Sequence, residues 1–264
     1  MPARFPERIV CLTEETTETL YLLGEDRRIV GISGYTVRPP RARREKPRVS
    51  AFLSAKNDAI LALKPDLVLG FSDLQADIAR DLAKAGLNIF LFNQRSVDEI
   101  LSMVLMLSSM VGAAERGRRL VEELEANLAD VRATAGRLRR RPKVYFEEWD
   151  EPMISGIRWV SELVEIAGGV DVFANLSHSQ AANGRIVNSA AVVAKQPDVM
   201  IASWCGKKFR PERVKARAGW DAVPAVRDGE LHEIKSAEIL QPGPAALTDG
   251  VRRLQAIISG WAEK

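Results

Sequence analysis

The stretch AAERGRRLVEELEANLADVRATAGR, residues 113–137, decides the architecture. Leu120, Leu124, Leu128 and Val131 recur at helical spacing on one face, and a basic run over 137–143 follows, where cations suit a helix C-terminus. About 25 residues at roughly 1.5 Å each span about 37 Å. A flexible linker would be rich in Gly, Ser or Pro instead. The stretch therefore reads as one long rigid linking helix between two lobes, and large hinge motion is not expected. A second helix leads into it. Ser96 and Glu99 match a capping box, and Ile100, Val104, Leu107 and Val111 follow at helical spacing before Gly112.

On both sides of this region, short apolar runs alternate with helix-period segments. The runs are 9–12, 29–32, 67–70 and 89–92 before it, and 144–146, 199–202 and 231–234 after it. Each is too short for a core helix and is bounded by turn residues or charge, which argues for βα units with parallel strands. The expected fold is α/β, with two lobes whose parallel-type sheets are flanked by helices. The first lobe is assigned to 1–96, the helical connection to 97–141 and the second lobe to 142–264. One local pattern occurs once in each half: a short helix, then Lys64-Pro65-Asp66 or Gln196-Pro197-Asp198, then a strand. It suggests that the halves are built alike.

Composition narrows the function classes. Apolar residues make up 46% of the 264 and charged residues 28%, which is the profile of a globular chain. A net charge of +3 gives no reason to expect nucleic acid or a membrane surface as partner. Cys11 and Cys205 lie far apart, outside any CxxC or Cys/His spacing, and read as reduced thiols. The two histidines, His178 in a polar loop and His232 in a strand, make a metal site improbable. No P-loop, GxGxxG or GxSxG element is present. The apolar stretch 9–12 stops at Glu14 and Glu15, short of the roughly 7–15 residues of a secretory signal. Nothing approaches the roughly 18 apolar residues of a membrane span. As the sequence stands it reads as cytoplasmic, or as periplasmic if a signal has been removed.

The local signatures carry a resemblance. They are CLTEETTETLYLLG (11–24), GISGY (31–35), ILALKPDLVL (60–69), WVSELVEIAGGVDVF (159–173), QPDVMI (196–201), GWDAVPAVRDG (219–229) and PGPAALTDG (242–250). In this order, over nearly the whole chain, they resemble the helical-backbone (class III) substrate-binding proteins of the cobalamin- and ferric-siderophore-binding type. Glu14 stands where the family pattern has proline. The resemblance implies two α/β lobes joined by a long helix, with a small molecule held in the cleft between them. It implies a binding protein and no enzyme, with no cofactor required. Cobalamin or a related corrinoid is the first expected ligand, and a siderophore or haem the next. The implied partner is the permease of an ABC importer, docked through exposed acidic residues such as Asp73 or Asp77. A monomer is expected, with no membrane insertion.

In α/β lobes, ligands lie beyond the carboxyl ends of the strands. That rule selects Thr13, Glu14 and Glu15 after the first strand, residues 35–38 after the second, and Phe71, Ser72 and Asp73 after the strand at 67–70. In the second half it selects Glu147, Glu148 and Trp149, and then residues 204–208. Trp149, Trp204 and Tyr35 offer flat rings to a bulky ligand, or else seal the lobe cores. Cys205, Lys207 and neighbouring cations suit an anionic or amide-rich ligand, as does Arg38. Arg158, beside a helix start, would add to an anion site. Glu147 and Glu148 are adjacent on a strand, so their side chains point to opposite sides and at most one faces a ligand. The ligand-binding set is therefore Glu15, Tyr35, Arg38, Phe71, Glu148, Trp149, Arg158, Trp204, Cys205 and Lys207. The alternative is a cytoplasmic enzyme on the same scaffold, using Glu147 or Glu148 with Cys205 and Lys207.

Overall fold

Residues 5–264 are described in a computed structural model. Met1 to Arg4, the first residues of the leader reading, lie outside the described residues. The chain divides into two units: residues 1–94 with 98–124, and residues 95–97 with 125–264.

In the first unit, five strands form one sheet: β1 (Ile9–Cys11), β2 (Ile29–Ser33), β3 (Arg48–Ser50), β4 (Leu67–Phe71) and β5 (Ile89–Phe92). Their order is β3-β2-β1-β4-β5, and every neighbouring pair is parallel. The connecting helices are α1 (Glu14–Leu22), α2 (Ala42–Glu45), α3 (Asn57–Ala62) and α4 (Ala76–Lys84). The four apolar runs of the first half all fall on strands. Val10, Leu12, Val49, Ile60 and Val68 form an aliphatic core.

Two helices follow, α5 (Val97–Met110) and α6 (Ala114–Ala135). Ser96 stands at the N-cap position of α5. Gly112 turns the chain between the helices at φ +73, a conformation that only glycine adopts without strain. Gly117 lets the helices approach closely, because a Cβ there would meet the Ser108 Oγ at 1.9 Å. Helix α6 is continuous through Leu124 and Glu125, the point at which the chain passes from one unit to the other.

The second unit has a mixed sheet. Its strands are β6 (Lys143–Asp150), β7 (Met153–Ser155), β8 (Val170–Asp171), β9 (Val199–Ala202) and β10 (Leu231–Glu233). β6, β9 and β10 run parallel, β8 joins the first half of β6, and β7 folds back antiparallel on its second half. The hairpin β6–β7 adds one antiparallel edge to an otherwise parallel sheet. The helices here are α7 (Arg158–Ile166), α8 (Ser189–Lys195), α9 (Pro211–Lys215), α10 (Pro224–Arg227), α11 (Ser236–Ile239) and α12 (Val251–Ala262). The core is aromatic: Tyr145 meets Phe173 and Trp220 edge-on, with centroids 5.6 and 6.1 Å apart.

The repeated Pro-Asp pattern has one geometry in both units. Lys64 and Gln196 end their helices left-handed, each at φ 47. Asp66 then accepts the backbone N–H of Arg8 at 2.9 Å, and Asp198 that of Lys143 at 2.8 Å. Each carboxylate thus pins the start of its unit's central strand.

Candidate functional site

The strand order of the first unit reverses direction between β1 and β4, and such a switch point is where α/β sheets bind ligands. β1 delivers the chain to Thr13, and α1 starts at once. The turn satisfies itself, since the hydroxyls of Thr16 and Thr17 donate to the Thr13 carbonyl at 3.2 and 3.0 Å. The first two residues of α1 are carboxylates with almost no exposure: Glu14 at 4% and Glu15 at 1%. Glu14 Oε1 accepts the backbone N–H of Val37 at 3.2 Å. Burial pushes Glu14 up to about 8, with repulsion from Glu18 adding to it against the pull of the Val37 and Arg38 amides. Burial also raises Glu15 to about 7, against the hydrogen bond from Thr13. One Glu15 oxygen, Oε1, is buried without a hydrogen-bond partner. Arg38 donates to Glu18 at 2.8 Å, tying the segment after β2 to α1. Tyr35, on the same segment, is 62% exposed.

At the end of β4, Phe71 is buried, and its backbone N–H donates to Gln75 Oε1 at 3.0 Å. Ser72 follows at φ 63 and accepts the Leu74 N–H. The exposed Asp73 and Asp77 come next, and Asp77 pairs with Arg80 at 2.8 Å.

The second unit holds its acids differently. β6 runs on past its parallel partner β9, paired there with β7, and carries three carboxylates and an indole at its carboxyl end. Glu147, wholly buried, receives both Arg217 nitrogens at 2.7 and 2.9 Å, the Tyr145 hydroxyl at 2.9 Å and Trp204 Nε1 at 2.9 Å. Burial opposes the Arg217 charge, yet the bond to Glu147 outweighs it and raises the guanidinium further. Glu148 pairs with the buried Arg185 at 2.5 Å, and Asp150 with Lys207 at 2.9 Å and Arg213 at 3.0 Å. Burial would raise Asp150, but the two cations hold it below the usual range, with Lys207 the stronger. Trp149 lies half-exposed between them, with Lys207 Nζ 3.9 Å from its ring centroid. Beyond β9, Trp204, Lys207, Lys208, Arg210 and Arg213 line a cavity of about 460 Å³. Cys205 is exposed beside it.

Several expectations need correction. Trp204 does not offer its ring to a ligand. It is 3% exposed, packs on Phe209 at 5.2 Å and gives its N–H to Glu147, so it seals the core. Phe71 and Glu15 are likewise buried. Arg158 does stand at a helix start, as expected, but its charge is already engaged. It lies in the first turn of α7 and pairs with Glu162 one turn on, at 2.8 Å. Glu148 and Lys207 remain reachable, but each already holds an opposite charge. Glu147 is the inward member of its pair. Tyr35, Arg38, Trp149, Cys205 and Lys207 stay accessible in whole or part. Among the described residues no cluster of three or more His, Cys, Asp or Glu side chains is placed to hold a metal.

The sequence profile of the family described as periplasmic binding protein matches residues 9–238, most of both units. The chain belongs to the periplasmic binding protein family. The vitamin B12-binding protein of Vibrio cholerae is 31% identical over 208 residues, covering 75% of this chain and 71% of that protein. An ABC transporter substrate-binding lipoprotein of Bacillus subtilis is 24% identical over 94% of this chain and 79% of its own. Among solved structures, the periplasmic heme-binding protein of Roseiflexus sp. RS-1 superposes with a TM-score of 0.81 at 24% identity, over 96% of this chain and 99% of that one. The fold is thus the α/β, two-lobed one of periplasmic binding proteins, as the local signatures implied. No helix among the described residues is long and apolar enough to cross a membrane.

Proposed function

We propose that this chain binds one bulky, cofactor-like molecule, as the substrate-binding component of an ABC importer. Cobalamin or a related corrinoid is the first candidate, and haem or a ferric siderophore the next. The observation that carries the reading is the 31% identity, over most of both chains, to a vitamin B12-binding protein. The contacts assigned to the ligand are Tyr35 and Arg38 from the first unit, and Trp149, Lys207 and Cys205 from the second. An exposed phenol ring and a half-exposed indole suit a flat macrocycle, and the cations beside them suit its peripheral polar groups. Asp73 and Asp77 are assigned to the permease contact. The carboxylates that an enzyme would need are already tied to arginines, so the enzyme alternative is not supported.

Titration calorimetry with cobalamin, cobinamide, haem and a ferric hydroxamate tests the ligand class. At least one is expected to bind well below about 100 μM. If none does, the cofactor reading fails.

A further inference from the structure

One pocket of the first unit takes no part in the arrangement above. Gly34 and Ser50, at the carboxyl ends of β2 and of the edge strand β3, line it together with Arg43, Lys46, Arg48 and Lys56. Its volume is about 600 Å³, the size of a small-molecule site, and no acidic side chain lines it. The neighbouring Arg41 is held by Asp26 at 3.3 Å. Arg43, Lys46, Arg48 and Lys56, by contrast, have no ion-pair partner among the described residues. Four like charges around one concavity repel one another, and a bound anion relieves that repulsion. A second feature points the same way. Ser50 is 8% exposed, and its hydroxyl has no hydrogen-bond partner. An unsatisfied buried donor costs free energy that an acceptor in the pocket would recover.

The cavity of the second unit is a useful contrast. Two of its cations, Lys207 and Arg213, are already paired with Asp150, and Arg213 also with Glu151. The pocket of the first unit keeps its whole charge.

We propose that this pocket binds an anionic group of a small molecule, a carboxylate or a phosphate, through Arg43, Lys46, Arg48 and Lys56. The group belongs either to a free polyanion or to the acidic periphery of the larger ligand. Citrate, added at low salt to isotope-labelled protein, is expected to shift the backbone amides of Gly34, Ser50 and Lys56 saturably. Arg43→Gln with Arg48→Gln should weaken citrate by about tenfold or more. The control pair Arg80→Gln with Arg118→Gln, exposed cations elsewhere, should change it by less than about twofold. Because both pocket arginines are exposed, an unchanged amide spectrum will show that the variant folds.

Haem and its dimethyl ester separate the two sources. If the pocket variant weakens haem but not the ester, the anion is part of the larger ligand. If it weakens citrate alone, the anion is free. Citrate shifts that map elsewhere, or a pocket variant that binds citrate as well as the parent, overturn the proposal. Should citrate bind as described while every cofactor fails, the cofactor reading falls and the pocket stands.

Discussion

Each unit buries acids at the carboxyl end of a central strand, but the two are stabilised in opposite ways. Beyond β1, Glu14 and Glu15 are closed off with backbone amides and hydroxyls around them, and burial raises both towards neutrality. In the last half of β6, Glu147, Glu148 and Asp150 each hold an arginine or lysine within 3.0 Å. The two frames share the paired left-handed residues and the strand-pinning aspartates, although the second sheet is mixed. Similar frames therefore impose no single electrostatic solution. In the second unit a cation reaches each acid; in the first, burial acts on Glu14 and Glu15, with no ion-pair partner for either among the described residues.

The largest test of this contrast is Arg217→Ala. It would leave Glu147 without its cation in the aromatic core, held only by the Tyr145 hydroxyl and Trp204 Nε1, and such losses cost about 3–5 kcal/mol. Urea denaturation should show that drop. Replacing both partners, as Glu147→Gln with Arg217→Met, should restore most of it. A loss under about 1 kcal/mol in the single variant would mean the pair is not what holds the acid.

Next comes pH. Glu14 and Glu15 have folded values of about 8 and about 7, above the ordinary 4.5. The folded state therefore binds protons that the unfolded chain has released. The stability this gives is fully present below about pH 4.5 and is lost as pH rises towards 7 for Glu15 and 8 for Glu14. The slope is up to about 1.4 kcal/mol per pH unit for each group. Glu14→Gln with Glu15→Gln should flatten the profile in that window. A parent protein equally stable at pH 5 and pH 8 would contradict the account.

The smallest effect tests the shared frame. Lys64→Gly and Gln196→Gly each remove a side chain from a left-handed position and should stabilise by similar amounts, no more than about 1 kcal/mol. Thermal melts that move in opposite directions would separate the two turns.

Much of the frame was readable because it follows from apolar patterning. Runs such as 67–70 and 199–202 can bury four successive side chains only as central strands. β3, β7 and β8 escaped notice because two or three residues carry no period, and Arg48–Ser50 resembles the loop around it. The site was less legible. Position at a strand end drew attention to Glu14, Glu147 and Trp149, yet could not say which side chains face inward. That depends on partners from distant sequence: Arg185 lies 37 residues from Glu148, and Arg217 lies 70 from Glu147. Trp204 was misjudged for the same reason, since an indole at a strand end suits a ligand as well as it suits a buried carboxylate. The basic stretch holding Arg43, Lys46 and Arg48 looked like a solvated surface, because sequence does not display concavity.

Native mass spectrometry of the purified protein, mixed with equimolar cobalamin, haem and ferric hydroxamate, tests the central claim most directly. The account predicts a complex of one protein with one of these molecules. A spectrum of free protein alone, with the fold intact and every ligand in excess, would contradict it.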